Sequence, residues 1–206
     1  MRRTIRILGG LCLLLGLTTS ARAQSAQKIS LQLSGLSATV FGDEFTGWGS
    51  GVGFEAQVRY SPSAFSIGGG FQWTTHGIDE NEVDLSGFDV SLKLSGIFVE
   101  PRYIIAVNSD KVAPYISGRL SILRESGSIS DATDELTFSA TGTTINGGGG
   151  ILVRLSERTN LDIGATYGYT NFGEATVKGG GETATFDSAS GSNVIFRVGV
   201  SIGIGN

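Results

Sequence analysis

Apolar and polar residues alternate with a period of two along much of this chain. Phe54, Ala56, Val58 and Tyr60 interleave with Glu55, Gln57 and Arg59, and Phe65, Ile67, Gly69, Phe71 and Trp73 interleave with Ser66, Gly68, Gly70, Gln72 and Thr74. Leu161, Ile163, Ala165, Tyr167 and Tyr169 form a third such series. The fourth is the clearest: Val194, Phe196, Val198, Val200, Ile202 and Ile204 share one face, with Arg197, Gly199, Ser201 and Gly203 on the other. Successive side chains of a strand point to opposite faces, so each run predicts a strand with one apolar side. About 9–11 such residues suffice to cross a bilayer on a tilted path.

Four more segments show the pattern less cleanly. Ile29 to Phe41 starts in phase at Ile29, Leu31 and Leu33 and slips at Gly35-Leu36, which predicts a β-bulge there. Phe88 to Ile105 settles into phase only from Ile97 onward. Val112 to Ile122 and Phe138 to Leu155 complete an expected set of eight strands. The connections alternate in length. Short turns follow the second, fourth and sixth strands, at Ser61-Pro62-Ser63, Val107 to Lys111 and Ser156 to Asn160. Longer polar loops follow the others, at Gly42 to Gly51, Thr75 to Gly87, Arg124 to Leu136 and Thr170 to Ser192. Sorting of this kind, short on one rim and long on the other, predicts an all-β, antiparallel, up-and-down transmembrane barrel with both termini on the short-turn side.

The charges follow the same phase. Glu55, Arg59, Glu100, Arg102, Arg119, Arg154, Asp162 and Arg197 all fall on the face opposite the apolar one. The interior of an eight-stranded barrel is barely wide enough for side chains, so these eight are expected to form an enclosed charge network. Arginine suits it because its planar fork grips carboxylates with two parallel bonds. Glycines such as Gly68, Gly70, Gly164, Gly199 and Gly203 would leave room for it. Aromatics sit near strand ends, with Tyr60, Phe65 and Tyr103 by the short turns and Phe54, Trp73 and Tyr169 by the long loops. They are expected to form two interfacial girdles.

The N-terminus reads as an export signal. Arg2, Arg3 and Arg6 precede an apolar run from Leu8 to Leu17, closed by Ala21-Arg22-Ala23. Residues 1–23 are therefore expected to be cleaved, leaving a single domain at 24–206. Cleavage removes four arginines and the only cysteine, and takes the balance to 11 basic and 19 acidic residues, a net charge of −8. Disulfides and thiolate metal sites are then excluded from the mature chain. Glycine is abundant, at 32, but is spread without the strict repeat of collagen.

The stretch Gly96-Ile97-Phe98-Val99-Glu100-Pro101-Arg102-Tyr103, followed after one turn by Ala113-Pro114-Tyr115-Ile116-Ser117-Gly118, resembles paired strands of the small outer-membrane β-barrel superfamily that includes the transmembrane domain of outer-membrane protein A. So does the glycine-spaced last strand. The resemblance implies residence in the bacterial outer membrane, contact with outer-membrane lipid and lipopolysaccharide, and insertion by the barrel assembly machinery after delivery by periplasmic chaperones. One departure is the ending Ile204-Gly205-Asn206, where the family usually places an aromatic residue.

Catalytic chemistry finds little footing. His76 is the only histidine, and it is read as a solvated loop residue near Asp79, Glu80, Glu82 and Asp84. No serine near it is marked as a nucleophile. The glycine runs Gly47 to Gly51 and Gly147 to Gly150 lack the Lys-Ser/Thr ending and helix of a phosphate loop. The acids Asp131, Asp134 and Glu135 match no calcium loop. No cofactor, catalytic residue or metal site is expected, and no basic patch points to nucleic acid. The expected role is a non-enzymatic structural or surface-interaction barrel with four exposed loops, whose extracellular ligand the sequence does not reveal. The competing roles are a narrow pore, a lipid-modifying enzyme or a soluble exported barrel.

Overall fold

A computed structural model describes residues 27–78, 89–130, 135–179 and 182–205 of the chain. The export-signal segment, the acids from Asp79 to Asp84, and Asp131 and Asp134 lie outside them. Ten strands are present: β1 (Ile29–Phe41), β2 (Trp48–Tyr60), β3 (Phe65–Ile78), β4 (Asp89–Ile104), β5 (Val112–Ser130), β6 (Glu135–Arg154), β7 (Thr159–Phe172), β8 (Ala175–Gly179), β9 (Glu182–Phe186) and β10 (Ala189–Ile204). Eight of them close an antiparallel barrel. Each of β1 to β6 pairs with the next in sequence, and β10 pairs with both β7 and β1. With no free edge, every strand in the wall satisfies its backbone bonds from both sides, which is the condition for crossing lipid.

The two extra strands were not expected. The β8–β9 hairpin stands in the last long connection, and β8 extends the sheet by pairing Thr137 with Lys178 and Ser139 with Thr176. The long loops are also shorter than expected. Pairing between β5 and β6 continues from Val112↔Val153 without a break to Ser130↔Glu135, so much of the Arg124–Leu136 segment is strand rather than loop. A polar run can continue a strand wherever its neighbour does, and the sequence alone did not reveal that partner.

The expected bulge at Gly35-Leu36 is absent. β1 keeps one register with β10 from Ile29↔Ile204 to Phe41↔Ser192 and one register with β2. Its inward and outward positions alternate throughout. What changes is the environment. From Ile29 to Leu33 the outward residues are apolar and the inward ones, Ser30, Gln32 and Ser34, are polar; beyond Gly35 the inward residues are Leu36, Ala38 and Val40, and the outward ones are Ser37 and Thr39, followed by Phe41 at the strand's end. The strand leaves the lipid band and inverts its polarity while its phase is unchanged. β4 and β5 do the same: Ile97 and Ile122 face out at the end of the band, whereas Leu92, Leu94 and Leu123 face in beyond it, with Lys93 and Arg124 exposed outside. The irregularity that the structure does contain is in β2, where pairing with β3 shifts between Trp48 and Gly51.

Candidate functional site

The site is the barrel interior, which is layered from the short-turn rim to the long-loop rim. Its floor is an apolar cluster of Ile104, Ala113, Tyr115 and Leu152. Above this lies a belt of charge. Glu100 is fully buried and receives four arginines: Arg59 Nη2 at 2.9 Å and Arg102 Nε at 2.5 Å on Oε1, and Arg119 Nε at 3.0 Å and Arg197 Nη1 at 2.5 Å on Oε2. Glu55 accepts from Arg119 Nη2 and faces Arg197 Nη1 at 3.8 Å. Asp162 accepts from Arg102 Nη1 at 2.7 Å, Tyr115 Oη at 2.6 Å and Gln32 Nε2 at 2.8 Å.

Strand periodicity brings these groups together. Glu55 and Arg59 stand on β2, Glu100 and Arg102 on β4, Arg119 on β5, Asp162 on β7 and Arg197 on β10, each at an inward position. Gly68 sits beside the Arg59 guanidinium: a Cβ there would lie 2.8 Å from Nη2. Gly164 does the same for Arg197 and Tyr115, where a Cβ would meet Nε at 3.0 Å and Oη at 2.5 Å. Four guanidiniums thus face three carboxylates, leaving one positive charge in excess within the belt. Aromatic faces absorb part of that excess, with Arg119 at 3.9 Å over the Phe98 ring and Arg102 at 4.4 Å over Tyr115. Desolvating seven ions is costly, and convergent, multiply bonded geometry offsets that cost.

Arg154, the eighth residue of the expected network, is half-buried at the short-turn end of β6. Tyr115, Gln32, Gln57 and Gln72 join the belt without having been singled out. Their inward phase was readable in the sequence, since Tyr115 lies four residues before Arg119 on the same strand. The six girdle aromatics all sit at outward positions, and Phe54 and Trp73 stack across β2 and β3 with ring centroids 5.9 Å apart.

Above the belt, one wall turns apolar at Leu36, Ala38 and Ile195. Beside it, β10, β7 and β6 carry a chain of amides and hydroxyls: Asn146 Nδ2 donates to Asn193 Oδ1 at 2.5 Å, and Asn193 Nδ2 donates to Thr170 Oγ1 at 2.8 Å. The long-loop end is then closed by Val40, Phe45, Leu94, Leu123, Ala140 and Phe172. Phe45 comes from a single 3-10 turn (Asp43–Phe45) in the first loop, folded inward onto Phe172 and edge-on to Trp48.

His76 corrects the sequence reading. It is not a solvated loop residue. It lies on β3 facing inward, with Nε2 3.1 Å from Thr74 Oγ1, Nδ1 3.2 Å from the Gly49 carbonyl, and its ring against Trp48. Loop acids read from the sequence as its neighbours favoured a solvated position; strand β3 instead runs on to Ile78 and carries the ring inside. Its position is beyond the lipid band, level with the outward-facing Lys93. Burial pulls the imidazole below its ordinary pKa, with the Gly49 bond acting the other way, so the ring is neutral at pH 7. Glu125 is the second isolated ionisable group at this level. It faces inward from β5 opposite Leu94 and Ala140, just past the band, and desolvation pushes its carboxyl up to about 7.

Among the described residues, no helix is long and apolar enough to cross a membrane. A family model described as the outer membrane protein beta-barrel domain matches residues 9–202. Solved structures share the architecture at low identity. Neisserial surface protein A aligns at 17% identity with a TM-score of 0.53, covering 88% of this chain and 100% of that one. The attachment invasion locus protein of Yersinia pestis aligns at 16% and 0.55, over 85% and 97%. A major outer membrane protein from Thermus thermophilus aligns at 14% and 0.58, over 84% and 98%. No curated protein matches the chain.

Proposed function

The chain belongs to the outer membrane protein beta-barrel domain family, and from that premise we propose that this bacterial outer-membrane barrel is a sealed, non-enzymatic anchor holding its surface loops on a rigid frame. The observation that carries this reading is the filled lumen. A floor of Ile104, Ala113 and Leu152, a belt in which Glu100 binds four arginines, and a lid formed by Phe45 and Phe172 lie in series along one axis. The cavity at the short-turn end, bordered by Gln32, Arg59, Arg102 and Asn160, measures about 20 Å³. That is room for roughly one water molecule. An ion crossing it would have to part buried ion pairs.

The chemistry of His76 supports the same reading. Both ring nitrogens are engaged, by Thr74 and by the Gly49 carbonyl, and the ring is shut away from the rim. A general base has to reach the proton it removes. Recognition on such a frame belongs to the loops and the outer wall. Outer-membrane lipid surrounds the barrel, and the assembly machinery and periplasmic chaperones act on it during insertion. In planar bilayers the folded protein is expected to give no sustained single-channel steps at neutral pH. Stable openings would contradict the sealed lumen.

A further inference from the structure

The outer wall carries a feature that the sealed lumen does not use. Where β4, β5 and β6 rise past the lipid band and β8 joins them, they enclose a groove of about 410 Å³. Register fixes which side chains share it. Lys93, Ser126, Ser139 and Thr176 occupy one rung across the four strands, Arg124 stands on the rung below, and Lys178 on the rung above. Paired residues of an antiparallel sheet point the same way, and the parity of these positions matches that of Ile97 and Ile122, so all six face outward. Lys93, Arg124 and Lys178 are exposed, and among the described residues no carboxylate lines the groove and none of the three cations has an ion-pair partner.

Height matters as much as charge. Ile122 is the last apolar residue facing lipid on β5. Arg124 lies two residues beyond it, ~7 Å along the strand, and the Lys178 rung lies six residues beyond it, ~20 Å along the strand, at about 3.4 Å per residue. The cations therefore begin where acyl chains end and climb through the depth of a headgroup. Hydroxyls between them supply donors and acceptors for sugar, and the guanidinium and ammonium groups suit phosphate. Apolar wall directly below the groove suits the acyl chains of the same molecule.

We propose that this groove is a binding site for a phosphorylated glycolipid headgroup of the outer leaflet, the lipopolysaccharide class of lipid, with Arg124 and Lys93 on its phosphate and Lys178 on groups further out. The inference rests on the long-loop rim facing the cell surface and is independent of whether the lumen conducts. Orientation is checked separately by labelling a cysteine placed at Ser188 on intact cells.

The test uses the folded mature barrel in detergent and measures binding of purified lipid A bisphosphate, phosphate-free lipid A, and inositol hexakisphosphate as a soluble polyanion. At about fivefold per cation near a membrane surface, the triple variant K93Q/R124Q/K178Q should bind lipid A bisphosphate roughly a hundredfold more weakly. Lys111→Gln on the short-turn rim should leave binding unchanged, and heat-modifiable gel mobility should show each variant folded. Phosphate-free lipid A should bind the wild type as weakly as the triple variant binds lipid A bisphosphate. Undiminished binding by the folded triple variant would overturn the proposal. Equal affinity for inositol hexakisphosphate would overturn the glycolipid assignment in favour of a free polyanion.

Discussion

The two halves of the barrel wall are built from the same strands by opposite rules. Between the short turns and the level of Ile97 and Ile122, the wall is apolar outside and charged inside; above that level β4 and β5 turn polar outside, and an apolar cluster joins His76 and Glu125 inside. The lower half has lipid for its solvent, so its interior must hold whatever polar groups the strands carry, and it meets that demand with Glu100 and its four arginines. The upper half stands in water, so its interior can hold a hydrophobic cluster around Phe45, Leu94, Leu123 and Phe172, with His76 and Glu125 buried at the same level. One continuous hydrogen-bonded sheet serves both. Solvent, rather than backbone, decides which face of a strand is oily.

The two halves should respond oppositely to the same kind of substitution. Glu100→Leu in the lower half strands four guanidiniums beside two remaining carboxylates and is expected to cost on the order of 3–5 kcal/mol or prevent folding. Urea titration in lipid vesicles and loss of the heat-modifiable gel band would read this. Outside the same half, Leu33→Arg places a charge against lipid and should cost about 2–4 kcal/mol. An unchanged unfolding midpoint would mean that Leu33 does not face lipid.

The upper half supplies the contrast. Glu125 is a carboxyl whose folded-state pKa is raised from 4.5 to about 7 by burial. A raised acid favours the folded state when protonated, so the contribution of Glu125 to stability is greatest below pH 4.5 and falls as pH climbs through 7. The expected difference is roughly 2–3 kcal/mol. Glu125→Gln should flatten that slope and raise stability at neutral pH, and a variant with the wild-type pH profile would contradict the assignment. The smallest effect is expected for Thr39→Arg, outward on β1 but above the band. Surface substitutions of this kind usually stay within about 0.5 kcal/mol, so it should leave the midpoint unmoved where Leu33→Arg shifts it.

This division also explains which features could be read from the sequence. The lower half was legible because lipid outside and charge inside produce strict alternation, and Glu55, Arg59, Glu100, Arg102, Arg119, Asp162 and Arg197 could be assigned to the inward face by counting alone. β1 was bounded correctly at Ile29 and Phe41. The upper half was misread because inverted polarity in an unbroken strand looks like a phase slip, which is how Leu36 came to suggest a bulge. Serine- and threonine-rich outward positions such as Ser126, Ser128 and Ser139 look like loop unless the partner strand is known. His76 was obscure for a related reason: it is an amphipathic side chain whose burial depends on what closes over it, and Gly49 and Trp48 are remote in sequence. The β8–β9 hairpin alternates over only two apolar positions per strand, Ala175 and Val177 on β8 and Ala184 and Phe186 on β9, too few to stand out from loop, and every residue of β9 is exposed.

The inversion can be tested most directly by spin labels placed one at a time from residue 29 to residue 41 of β1 in lipid vesicles, read by accessibility to oxygen and to a water-soluble relaxation agent. Labels at 29, 31 and 33 should report lipid, and labels at 37 and 39 should report water. Labels at 30, 32, 34, 36, 38 and 40 should be shielded from both agents. A change of parity at residue 35, with 36 and 38 exposed and 37 and 39 shielded, would show a bulge in place of an inversion and contradict this account of the fold.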